Sequence, residues 1–301
     1  MRSKSKIFAF SLVELSLVIL VVGILLLAVT NGASLIGKSK IASAIALTNS
    51  SPVSGINGLA IWMESVDVNN IAVGSSGSGI FGDPEDEDGV SGWRDRNPQS
   101  SEKILFSALS DDTRPIYTRE GINGIPTIRF DGSNDTLASS RQINSLKFTN
   151  GKEITIFLVA KESDRPSFFE LYFSHQPSSN GKITIEADYN EKVKMCFTIS
   201  NCFPSVATIT DQNIVSTFIK SQNNLDIYIN GGASADASKA NSNEEITPGD
   251  ANAYIGSNSS DLFVDADIGE IIIFNRALRD IERRAVEEYL GKKWGIEVDN
   301  S

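Results

Sequence analysis

The chain has 301 residues, with 27 Lys and Arg against 38 Asp and Glu, giving a formal net charge of −11 at pH 7. That length allows one large domain with an appendage or two modest domains, and 41% hydrophobic against 22% charged residues excludes a disordered tail protein. Scattered basic residues release few counterions, which argues against nucleic acid as a partner; a single histidine, His175, excludes His-rich metal centres.

Arg2, Lys4 and Lys6 precede a stretch from Ile7 to Gly37 in which Glu14 is the only charged side chain. Phe10 to Val29 makes 20 residues, about 30 Å of helix and so the thickness of a bilayer core. Basic residues ahead of the span place the short N-terminal end in the cytoplasm and the remainder outside it. A cleaved secretory signal fits poorly, because no small-residue cleavage site follows the apolar run. An unpaired carboxylate inside such a run costs about 3 kcal/mol on insertion scales, so Glu14 requires a partner. The run Ala9-Phe10-Ser11-Leu12-Val13-Glu14-Leu15 resembles the leader and helix start of type IV pilins and pseudopilins. The resemblance implies cutting after Ala9, where that family has Gly, and methylation of the new terminus Phe10. It also implies pairing of Glu14 with the Phe10 ammonium of a neighbouring subunit during assembly. An ordinary signal anchor is the bland alternative. The helix is expected to continue amphipathically through Leu35, Ile41 and Ile45 and to stop at Asn49-Ser50-Ser51-Pro52.

From Leu59 onward, short β-rich runs alternate with Gly, Asn, Asp and Ser clusters. Strands are predicted at Leu59–Trp62, Thr127–Phe130, Glu153–Ala160, Phe168–Phe173, Lys182–Ala187, Val193–Ile199, Ile214–Lys220, Leu225–Ile229 and Ile268–Phe274. This spacing favours an antiparallel sandwich or barrel. One helix is predicted near the C-terminus, capped by Asp280 and ending near Gly291 or Gly295. The successive motifs Gly58-Leu59-Ala60-Ile61-Trp62, Gly92-Trp93-Arg94-Asp95, Phe130-Asp131-Gly132-Ser133-Asn134-Asp135 and Gly269 to Leu278 resemble bacterial laminin-G-like domains of the concanavalin A-like lectin/glucanase fold. That resemblance implies a jelly-roll antiparallel β-sandwich used mainly for binding glycans or proteins.

Several side chains invite chemistry. Glu186-Ala187-Asp188-Tyr189-Asn190-Glu191 has the spacing of a retaining-glucanase strand, whose two carboxyls stand about 5–5.5 Å apart. Tyr189-Asn190 reads instead as a hairpin turn that would separate Glu186 from Glu191. His175 lies beside Gln176-Pro177-Ser178 and reads as a surface turn residue. Asp83 to Gly89 is oxygen-rich but out of register for an EF-hand, and a solvated loop is the simpler reading. Asp261, Asp265 and Asp267 form a second acidic cluster, of a kind found on exposed edge strands. Cys196 and Cys202, the only cysteines, pair most simply as a disulfide, with free buried thiols as the alternative.

The expected organisation is a cytoplasmic leader (1–9), a pilin-type transmembrane and amphipathic helix (10–49), a linker (50–58) and a mainly β laminin-G-like sandwich with one C-terminal helix (59–297). The expected function is a minor pilin or pseudopilin, non-enzymatic, sited in the bacterial inner membrane or extracellular in a pilus. Its partners would be other pilin subunits, the prepilin peptidase and methylase, the inner membrane, and a glycan or protein ligand. No cofactor, metal or catalytic residue is expected, and no ligand-binding residue is assigned. The alternative is a membrane-anchored glycosidase using Glu186 and Glu191.

Overall fold

The computed structural model describes residues 12–144, 147–163, 169–177, 181–198, 201–240, 249–258 and 261–299. The leader, Ala9, Phe10, and the predicted strand ends Phe168 and Ile199 lie outside the described residues. Helix α1 (Leu12–Asn49) opens the chain and is followed by β1 (Leu59–Glu64), β2 (Ile71–Val73), β3 (Ile80–Phe81), β4 (Val90–Arg94), β5 (Leu105–Ala108), β6 (Ile116–Ile122), β7 (Ile125–Asp131), β8 (Leu137–Ser139) and β9 (Ile143–Asn144). Then come β10 (Ile154–Glu162), β11 (Glu170–His175), β12 (Ile183–Ala187), β13 (Val193–Cys196), β14 (Cys202–Pro204), β15 (Asn213–Lys220) and β16 (Asn224–Ile229). The chain closes with β17 (Ala237–Ala240), β18 (Asp250–Ala251), β19 (Ala253–Ile255), β20 (Asp265–Phe274) and α2 (Asp280–Trp294).

One sheet runs β17-β16-β15-β10-β20-β7-β6, and the other runs β14-β13-β12-β11-β19-β8-β5-β4-β2-β3. Strand β20 organises the first sheet: β10 covers one edge, while β7 pairs with Asp265–Ile268 and β1 with Glu270–Phe274 on the other. A short ribbon of β9 and β18 stands apart from both sheets. The mainly β sandwich with a closing C-terminal helix is therefore as the sequence pattern implies.

The apolar runs without alternation have a structural cause. On β1, β10 and β20, Ile61, Met63, Ile156, Leu158, Ile271 and Ile273 pack into the core between the sheets. Their neighbours Trp62, Phe157, Val159, Ile272 and Phe274 point to the opposite face and form a second core with Ala44 of α1 and Val286, Leu290 and Trp294 of α2. Because successive side chains alternate faces, only a strand buried on both sides reads as Ile271-Ile272-Ile273-Phe274. Gly269 belongs to the same packing: a Cβ there would stand 2.5 Å from the Trp294 ring.

Helix α2 begins one residue earlier than the predicted cap implies, with Arg279 at the cap position. Asp280 is its first residue and pairs with Arg283 and Arg284, while Glu282 accepts the Arg279 N–H at 3.0 Å. Gly295 ends the helix in the left-handed region at φ 63°, a conformation that costs glycine little.

The transmembrane expectation requires correction. A span needs about 20 consecutive apolar residues, and among the described residues no helix is long and apolar enough to cross a membrane. The single-pass inner-membrane location falls with it. Glu14 sits in the first turn of α1 and is exposed. The C-terminal end of α1 is part of the folded unit: Ala44 and Thr48 are buried, and Lys40 Nζ donates to the Asn123 carbonyl at 3.1 Å.

Beneath the second core lies a buried ionic knot. Lys293 Nζ reaches Glu64 Oε1 at 2.7 Å and Glu270 Oε2 at 2.8 Å, and all three side chains are fully buried. Glu270 also accepts Trp62 Nε1 at 2.7 Å, Tyr289 Oη at 2.8 Å and Trp294 Nε1 at 3.0 Å. Glu64 accepts the N–H groups of Val66 and Asp67. Burial, with the charges of Glu270 and Glu64, pushes the Tyr289 hydroxyl well above its ordinary pKa and keeps it a donor.

Removing one partner leaves buried charge uncompensated. Lys293→Met is expected to lower unfolding free energy by about 3–5 kcal/mol in urea titration. Lys292→Met, which breaks only an exposed pair with Glu288, should cost under about 0.5 kcal/mol. Gly269→Ala should lose about 1–3 kcal/mol by forcing Trp294 from its seat.

Candidate functional site

The two members of the sequence-derived acidic pair lie at different places in one hairpin, Glu186 on a strand and Glu191 in the turn. Glu186 lies on β12, nearly buried, accepting Lys182 Nζ at 3.0 Å and Thr184 Oγ1 at 2.6 Å, with Lys194 Nζ at 3.5 Å. Glu191 sits in the turn at φ 63°, its N–H donating to the Asp188 carbonyl. The hairpin pairs Ala187 with Val193 and Glu186 with Lys194, so the chain reverses between the two glutamates, as the Tyr189-Asn190 composition implies. Cys196 and Cys202 are register partners on β13 and β14 and are joined by a disulfide. Glu186, Cys196 and Cys202 form the single trio of metal-ligand types found together among the described residues, but the sulfurs are bonded to each other rather than offered as thiolates.

His175 is not a surface turn residue. It is fully buried at the end of β11, with Nε2 2.7 Å from the Ile143 carbonyl and its ring edge-on to Phe148. Burial holds its pKa below the ordinary value. The Asp261-Asp265-Asp267 cluster is likewise not edge solubilisation: Asp265 pairs with Arg129, and Asp267 accepts Thr127 Oγ1 at 2.7 Å, both inside the sheet beside β7. In the loop ahead of β4, Asp86 accepts the Arg119 N–H and Asp88 accepts the Glu85 N–H. Asp88 thus fixes the loop's own backbone, and Asp86 ties the loop to β6.

A wide opening lies elsewhere, at one rim of the sandwich. It is a cleft of about 710 Å³ lined by the apolar Leu59, Ile104 and Ile143 and by the polar Asn97, Gln142, Asn144, Asp250 and Asn275. Glu102, Arg141 and Lys147 stand at its charged side. The elements that position these groups are far apart in sequence. Asn97 is buried and donates to the Leu59 and Ala60 carbonyls, holding the post-β4 loop against β1. The β9–β18 ribbon carries Asn144 opposite Asp250. Gln142 and Asp250 also line a neighbouring polar hollow of about 440 Å³ with Ser174, Gln176 and Tyr254. None of these residues was singled out from the sequence, because each is an ordinary loop Asn, Gln or Asp until the ribbon and rim meet.

No protein-family model and no curated protein matches the chain. Among solved structures, it is similar to a Trypanosoma rangeli sialidase in complex with 2-keto-3-deoxy-D-glycero-D-galacto-2,3-difluoro-nononic acid, at 12% identity and a TM-score of 0.50, over 89% of this chain and 41% of that one. A T. rangeli sialidase mutant displaying trans-sialidase activity gives a TM-score of 0.49 at 12% identity, over 87% of this chain and 39% of that one. The binding domain of botulinum neurotoxin serotype G gives 0.49 at 13% identity, over 78% of this chain and 51% of that one. The chain thus spans about two fifths of the sialidase it resembles, and the likeness shows the sandwich fold alone. Two expectations are corrected here. The pilin-type and laminin-G-like family assignments are not kept, since no family model matches and the similar structures are of other kinds. The non-enzymatic expectation is not kept either: the chain of similar fold at TM-score 0.50 is a sialidase, a likeness that at 12% identity reaches the fold and not the activity.

One loop near a second opening gives a pH test. Asp135 accepts the Asp131 N–H at 2.9 Å, and burial, followed by the Asp131 charge, pushes its carboxyl up to about 7. The folded chain then holds a proton that the unfolded chain releases above its ordinary value near 3.8. This contribution is full below that value and is lost as pH rises toward 7. In urea titrations across this window, Asp135→Asn should fall less steeply in stability than the parent chain.

Proposed function

We propose that the chain is a carbohydrate-active β-sandwich that takes a saccharide in the cleft between the β1–β20 rim and the β9–β18 ribbon. The observation that carries this reading is the cleft's composition. Saccharides present hydroxyls and apolar ring faces together, and here amide and carboxylate residues line the cleft together with Leu59, Ile104 and Ile143. Its volume of about 710 Å³ falls within the range of small-molecule sites. The sandwich it shares with a sialidase supports the class of ligand, while the cleft supports the place.

Hydrolysis is a second reading, favoured by Glu102 and Asp250 both standing in the cleft walls. Two carboxyl groups flanking the scissile bond are what most glycosidases require. Glu186 and Glu191 do not supply that pair, being split by the hairpin.

On a glycan array, the full chain should retain a saccharide, and Gln142→Ala with Asp250→Ala should reduce retention by about tenfold or more, the effect of losing about 1.4 kcal/mol of contact. Retention unchanged in the double variant would reject the cleft as the site. Reducing-sugar release that is lost in Asp250→Asn would make the site catalytic.

A further inference from the structure

The charged side of the cleft has an unbalanced arrangement. Arg141 Nη2 lies 2.8 Å and Lys147 Nζ 3.4 Å from the same oxygen, Oε2 of Glu102. Two cations therefore converge on one carboxylate, an excess of one positive charge at this spot, while Asp250, which also lines the cleft, brings its charged lining as a whole to neutrality in a chain whose net charge is −11. All three side chains are at least half exposed, at 50% for Arg141, 57% for Lys147 and 58% for Glu102.

Exposure decides how such a group behaves. A solvent-exposed ion pair contributes little to stability, because water screens it and two long side chains must be held in place. The Glu102 contact is therefore easily exchanged, unlike the buried pairing of Lys293. No such cationic pair is needed to hold the loop: Ser100 Oγ already donates to the Glu102 carbonyl, and the Glu102 N–H donates back to Ser100 Oγ. The carboxylate thus extends from a loop fixed by its own backbone into a cleft wall carrying two cations.

We propose that Glu102 occupies the place of the ligand's own anionic group, so that the saccharide taken by this cleft carries a carboxylate or sulfate that displaces Glu102 from Arg141 and Lys147. This rests on the cleft being the saccharide site. The guanidinium supplies a planar fork suited to a carboxylate or sulfate, and the ammonium adds a point charge. The displaced Glu102 side chain turns to water, where exposed carboxylates are well solvated. In a strongly acidic chain, this pair is what allows an anionic ligand to approach the cleft at all, and its attraction is screened as ionic strength rises.

The test is calorimetric titration of the full chain with three probes of equal length: a neutral gluco-oligosaccharide, an oligogalacturonate and a sulfated oligosaccharide. The parent chain should bind at least one anionic probe about tenfold tighter than the neutral one, with affinity falling as salt is raised. Arg141→Gln combined with Lys147→Gln should erase that preference, bringing the affinity for the anionic probes down to that for the neutral one or below it. Glu102→Gln should tighten anionic binding about threefold to fivefold, the scale of an exposed ion pair. The response of the two anionic probes separates a carboxylate ligand from a sulfate one. Equal affinity for neutral and anionic probes, with binding still lost in the Gln142→Ala and Asp250→Ala double variant, would overturn the anion proposal and leave the cleft reading standing. Weakened anionic binding in Glu102→Gln would also overturn it. Failure of all three probes to bind, together with no retention on the array, would overturn both.

Discussion

The contact on which the other elements depend is the pairing of Lys293 with Glu64 and Glu270. Strand β1 contributes Glu64, strand β20 contributes Glu270, and helix α2 contributes the lysine, so three elements distant in sequence meet at one buried charge centre. Ionic groups removed from water cost several kcal/mol each unless geometry and additional hydrogen bonds offset them. Here Glu270 takes donors from Trp62, Tyr289 and Trp294 as well. The arrangement tolerates few alternatives: a shift of α2 by one turn, or of β1 by one register step, would strand at least one charge. Specificity of docking is the property such a centre supplies most directly.

That docking has an effect at the rim. Strand β1 is held at its far end by Glu64, and its beginning, Leu59 and Ala60, forms part of the cleft. Asn97 reads the carbonyls of those two residues and carries the following loop toward Glu102. Asp95 accepts the Trp62 N–H at 2.9 Å from the same loop, and burial raises its pKa. The cleft wall is therefore built by polar contacts to a strand whose position is fixed elsewhere. On its other side, the β9–β18 ribbon is the smallest sheet among the described residues. The two sides of the cleft thus differ in how much structure stands behind them.

Strands with a two-residue period or a long apolar run were legible in the sequence, as the match of Leu225–Ile229 and Ile268–Phe274 to β16 and β20 shows. The hairpin that separates Glu186 from Glu191 was legible too, because turn residues act locally. Burial of His175 was not, since the Phe148 ring and the Ile143 carbonyl that enclose it come from another part of the chain. The roles of Asp265 and Asp267 were hidden for the same reason: their partners Arg129 and Thr127 are on β7. The membrane reading rested on composition over a window and on a short motif, and neither encodes what the folded chain does with the far end of the same helix. The cleft itself left no trace, because Asn, Gln and Asp in loops have the same composition whether they line a site or face open water.

The way the end of α1 enters the second core bears on where the folding unit begins. Read as composition, the chain divides at the Asn-Ser-Ser-Pro stop, with a helix before it and a sandwich after it. Read as packing, that boundary runs through the interior, since Ala44 lies beside the apolar side chains of the β20 face and Thr48 stands 3.4 Å from Tyr289 Oη. A fragment starting at Pro52 would retain every strand and still uncover the parts of α2 and β7 that α1 packs against, an adhesive surface of its own making. The packed core of this protein starts inside the helix, at Ile41.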